Sequence, residues 1–135
     1  MTDDSHTLEF DPFDFPADLI ALQLRAATLY AELHVFQATL PWSRVPHEGW
    51  EATGQGGGLR GYESSRPKTD GWTAEQGAKY DKLFDDLREA AADVQAHPHW
   101  QRCTSDVAVR ARMALKHAEG AAPAVPETEG LTQAA

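Results

Sequence analysis

Leu19, Leu22, Ala26, Leu29, Leu33, Phe36 and Leu40 are separated by steps of 3, 4, 3, 4, 3 and 4 residues. That spacing lines one face of an α-helix and has no counterpart in a strand, whose period is two. The stripe predicts a first helix over about residues 16–40. Pro16 suits the opening because its missing N–H is unpaired there anyway, and Asp18 complements the positive end of the helix dipole. Pro41 closes the helix. Twenty-five residues at about 1.5 Å each make a rod of roughly 37 Å. Ile20, Leu24 and Val35 widen the stripe, so this helix is expected to touch more than one partner.

Two more helices follow from the same reading. Thr73-Ala-Glu-Gln76 is a capping box, in which hydroxyl and amide satisfy free N–H groups at a helix start. Tyr80, Leu83, Leu87, Ala90 and Val94 continue the 3,4 step, and Pro98 ends the pattern near Ala96. A third helix is predicted from Ser105 to His117, with Asp106 at its start, Lys116 and His117 at its end and Gly120 as terminator. No segment reads as a strand. The expected fold is all-α: a small three-helix bundle with a long aromatic-anchored loop between helices 1 and 2 and disordered acidic termini. Residues 1–14 read as an acidic, aromatic arm, 15–118 as the bundle domain and 119–135 as a tail. The 32-residue connection over 41–72 permits either packing sense for the first two helices, and antiparallel is the expectation.

Charge is distributed unevenly. The chain of 135 residues has a net charge of −9. Asp3, Asp4, Glu9, Asp11, Asp14 and Asp18 crowd the first 18 residues, and Glu119, Glu127 and Glu129 the last 17, with no Lys or Arg in either stretch. The body between them is neutral. This disfavours nonspecific nucleic-acid binding through a broad basic surface. No apolar run approaches the roughly 18–20 residues of a membrane span, the N-terminus lacks the layout of a secretory signal, and a lone Cys103 precludes an internal disulfide framework. The expected compartment is the cytoplasm.

The connection contains a literal G-x-G-x-x-G at Gly56, Gly58 and Gly61. A dinucleotide fingerprint needs a strand before it and a helix opening at its last glycine. HEGWEATGQ precedes and YESSRPKTDGW follows, so neither condition holds, and no G-K-[ST] of a P-loop is present. The glycines read as a flexible hinge over about 53–61. Trp42, Trp50, Tyr62 and Trp72 flank it, and rings of that size are expected to pack onto the helices. Arg60, Arg66 and Lys68 cluster just beyond, where they could grip an anion, an acidic partner or the chain's own arm; solvated loop charges are the plainer account. In the arm, Phe10 and Phe13 among acids could dock into a partner or fold back on the bundle. Phe15 is expected to fold back.

Three further clusters bear on chemistry. HPHWQRC brings together His97, His99 and Cys103, all zinc-ligand types, with His117 a conceivable fourth; the spacing matches no recognised zinc motif, and a helix-to-helix corner plugged by Trp100 is the plainer reading. A Cys103–histidine catalytic pair has no other support in the sequence. Asp81, Asp85, Glu89 and Asp93 form a carboxylate stripe that a magnesium- or manganese-dependent hydrolase could use, but facing carboxylates are scarce and Lys82 and Arg88 interleave. Arg102, Arg110, Arg112 and Lys116 make the third helix locally basic, the one feature suggesting a DNA-binding regulator.

LPWSRVPHEGW, DGWTAEQ, HPHW and ARMALKHA resemble segments of a group of short, Ala-rich helical proteins of actinobacteria, over about Phe15 to Ala118. The resemblance implies no activity, cofactor or catalytic residue. It implies that the loop tryptophans and the HPHW corner belong to one repeated arrangement, with the glycines as filler. The leading expectation is a non-enzymatic module that binds another protein, or itself, with no cofactor. Its candidate contact residues are Phe10, Phe13, Trp42, Trp50, Arg60, Arg66 and Lys68. A metal-dependent hydrolase or metal-binding protein is the alternative, and DNA binding a weaker one.

Overall fold

The computed structural model describes residues 9–52 and 64–124. The arm before residue 9, the Gly run with Arg60 and Tyr62, and the tail beyond 124 lie outside the described residues. The fold is all-α: α1 (Ala17–Gln37), α2 (Ala74–Gln95), a 3-10 turn (Pro98–Arg102) and α3 (Ser105–Leu115), with no strand among the described residues.

Each helix boundary has a local cause. The carbonyl of Pro16 accepts from the N–H groups of Leu19 and Ile20, so the proline stands one place outside α1 instead of opening it. At the far end the ladder tightens to i→i−3 bonds at Thr39 and Leu40, and the Thr39 hydroxyl donates to Phe36 O at 2.7 Å. That competing side-chain bond stops α1 at Gln37, three residues short of the predicted end. The capping box of α2 forms as predicted: Gln76 N donates to Thr73 Oγ1 (3.1 Å) and Thr73 N to Gln76 Oε1 (2.9 Å). The end of α3 likewise tightens, with His117 and Ala118 bonding three residues back. Gly120, at φ +85°, then turns the chain beside Ile20, and Ala121 is fully buried.

The chain divides into two compact units. Up to Glu32 and from Asp85 onward it forms the first, and Leu33–Phe84 the second. In the first, all three helices contribute to one core of Leu19, Ala26, Ala90, Val94, Ala111 and Leu115, with Trp100 from the 3-10 turn. The start of α1 lies against the end of α2 there, the expected antiparallel sense. Trp100 donates its indole N–H to Val94 O at 2.7 Å, which satisfies its one polar atom inside the core. No buried side-chain nitrogen or oxygen among the described residues lacks a partner.

The second unit is held differently. Residues 44–52 and 65–72 run antiparallel and pair at two isolated bridges, His47 with Thr69 and Trp50 with Arg66. Four backbone bonds of 2.8–2.9 Å make these bridges, and Trp72 N donates to Arg44 O at 2.9 Å. Gly49 (φ +79°) and Gly71 (φ +85°) make the close crossings possible. A Cβ at Gly49 would lie 2.3 Å from Arg66 O, and one at Gly71 2.7 Å from Arg44 O. The connection is therefore a paired element over its described length.

Candidate interaction site

The loop tryptophans were expected to pack onto the helices, and Trp72 does so. Its ring lies 5.0 Å from that of Tyr80 on α2, its indole donates to Pro41 O, and the Arg44 guanidinium covers it at 5.1 Å. Trp42 and Trp50 instead pack on each other, edge to face, with centroids 5.5 Å apart. His47 completes the cluster at 4.9 Å from Trp42 and 5.9 Å from Trp50. The three rings stand on one arm, whose backbone is held in place by its pairing with the other. Trp42 donates to Pro67 O at 2.7 Å, and His47 Nδ1 accepts from Gly49 N at 2.8 Å, which locks the turn beneath Trp50.

The result is a hydrogen-bonded platform with an open side. Trp50 remains 46% exposed, and Arg66 and Lys68 are exposed on the opposing arm. Arg44, which no local sequence motif marks, anchors the element to α2. Its guanidinium makes a bidentate pair with Asp81, at 2.9 and 2.8 Å. Gly77, one turn before Asp81, leaves room for it: a Cβ there would lie 3.0 Å from the Arg44 Nη2. The pairing hydrogen bond holds Asp81 below the usual carboxylate range and pushes Arg44 up. His47 was also missed. Its only local signal is the HEGW string, which shows a turn glycine but not the ring contact.

At the other cluster the side chains are occupied within the chain. His97 caps the 3-10 turn, its Nδ1 accepting from His99 N (3.0 Å), and its Nε2–H donates to Asp18 Oδ2 at 2.9 Å. That bond lowers the Asp18 pKa below its ordinary value. His99 is buried, with Nε2 bonded to Pro12 O at 2.9 Å and its ring between Phe10 (5.0 Å) and Phe15 (5.5 Å). Cys103 Sγ donates to His99 O at 3.6 Å. Both nitrogens of His97 are thus engaged, and no three His, Cys, Asp or Glu side chains among the described residues are grouped to hold a metal ion. Phe10 is partly buried and carries the Arg102 guanidinium at 4.3 Å. Phe13 projects outward, 44% exposed.

Some members of the remaining charged clusters are also paired. Arg44 binds Asp81 and Arg88 binds Asp85, so two members of the carboxylate stripe are held by arginine. On the basic side Arg112 covers the Trp100 ring at 5.3 Å, while Asp106, held low in pKa chiefly by the Thr104 hydroxyl, also feels Arg110. No helix among the described residues is long and apolar enough to cross a membrane.

Fold and site together define a small all-α protein that carries a hydrogen-bonded aromatic loop element. The chain belongs to the DUF8825 family, a domain of unknown function, whose sequence pattern matches residues 18–118. That interval contains the platform, Asp18 and the HPHW corner, and leaves Phe10 and Phe13 outside. Comparison with curated proteins and with solved structures gave no match.

Proposed function

We propose that the chain is a non-enzymatic protein-interaction module whose contact face is the platform of Trp42, Trp50, Arg66 and Lys68. The observation that carries this reading is Trp50: a nearly half-exposed indole on a backbone pinned by paired hydrogen bonds. Covering the ~100 Å² left on such a ring is worth roughly 2–3 kcal/mol. Because the backbone beneath it is already ordered, little of that gain is lost to fixing the loop on binding. Trp and Arg are also the residue types that dominate interface energetics. Phe10 contributes less on this reading, since its ring is engaged by His99 and Arg102.

Photocrosslinking tests it. A benzoylphenylalanine introduced in place of Trp50 in the full chain, expressed in its native host, should give a discrete crosslinked product. The same probe at exposed Gln101 should not. Absence of a product from position 50, or equal products from both, would overturn the proposal.

A further inference from the structure

A second surface lies wholly within the first unit. Gln23, Ala27 and Tyr30 on α1 and Leu87, Ala91 and Val94 on α2 form two ridges with i, i+4, i+7 spacing. Between them is a groove of about 680 Å³ floored by the buried Ala26 and Leu115. Its volume is in the range of specific binding sites, about 300–1,000 Å³. Its ridges run for about two helical turns. Its walls stay open: Ala27 and Ala91 are half-buried and Tyr30 is 60% exposed. An open trough between two helices, with alanines that let a third backbone approach, matches helix-in-groove recognition and not the enclosing tunnel of an acyl chain.

Charge selects the occupant. Among the described residues the groove is lined by Arg112 and Lys116 and by no carboxylate, in a chain whose net charge is −9. Arg112 is kept at the wall by its position over Trp100. We infer that this groove binds an acidic amphipathic helix of a partner protein, its apolar stripe on the alanine floor and its carboxylates against Arg112 and Lys116. A second copy of the chain would bring its own net charge of −9 to the contact, which opposes self-association.

The test is a titration of the ¹⁵N-labelled full chain with a synthetic helical peptide of about 18 residues, bearing a leucine stripe flanked by glutamates. A control peptide carries lysines in place of the glutamates. Amide shifts should concentrate at Ala27, Tyr30, Ala91 and Leu115, and the glutamate peptide should bind about tenfold more tightly than the lysine one. Lys116→Glu, at an exposed position, should remove that preference without changing the circular dichroism. Ala91→Gln should fill the trough and weaken both peptides. Shifts centred elsewhere, including the Trp50 platform, or equal affinity for the two peptides would overturn the inference. So would tighter binding of laurate at the same amides, or groove shifts that accompany dimerisation without peptide.

Discussion

Trp100 and Trp50 are the same residue put to opposite uses in the two units. Trp100 is 6% exposed, fills the end of the helical core and bonds Val94 O. Trp50 is 46% exposed and leans on Trp42 and His47, over a turn that only glycine fits. The first unit is held by burial of small and medium apolar side chains between helices. Among its described residues the second shows backbone pairing, ring contacts and the Arg44–Asp81 pair. Burial stabilises the molecule in proportion to area removed from water, whereas a hydrogen-bonded, half-exposed loop contributes shape more than stability. The contrast shows that the aromatic content of this chain is divided between a core and a presented surface.

That contrast can be broken at several points. Trp100→Ala should cost about 3–5 kcal/mol in denaturant unfolding, because it empties the core. A loss under about 1 kcal/mol would show the corner is not part of the core. Gly49→Ala should cost at least about 1–3 kcal/mol of left-handed backbone strain, with the overlap of its Cβ on Arg66 O added, and the effect should be confined to the second unit. Hydrogen exchange would detect it as lost protection at the amides of His47, Trp50, Arg66 and Thr69, with core amides of α3 unchanged. Equal loss in both units would erase the distinction. Thr73→Ala should cost about 1 kcal/mol by removing the helix cap, measured as a lowered unfolding midpoint. Trp50→Ala should change stability by less than about 0.5 kcal/mol, and a larger loss would make the ring structural.

The smallest effect concerns pH. The His97 bond lowers the folded pKa of Asp18. The stabilisation is therefore complete above the ordinary carboxylate value of about 3.9 and is lost as pH falls through the lowered folded value. Asp18→Asn should flatten that part of the acid unfolding curve, followed by circular dichroism. An unchanged curve would mean the pair contributes nothing measurable, as many exposed pairs do.

Much of the fold was legible in advance because helices are written locally. The 3,4 step of Leu19 through Phe36, the Thr73 to Gln76 box and Pro98 act over a few residues, and all three appear where the spacing put them. Endings were read less well: Leu40 continues the stripe, yet the Thr39 hydroxyl takes the Phe36 carbonyl and stops α1 early. The site was read only as composition. Trp50 pairs with Arg66 across 16 positions, and His97 reaches Asp18 across 79. No periodicity carries such separations, and Arg44 and His47 gave no sign of their partners.

The amino-acid sequence by itself determined an all-α chain, the places of its three helices and the cap that starts the second. These follow from hydrogen bonds three or four residues apart and from side chains that recur on one face. Only the tertiary structure decided which tryptophan is core and which is surface, and that the described arms of the connection pair with each other. Those outcomes depend on which distant backbone groups meet, and the energy of such meetings is a property of the folded chain and of no single segment within it.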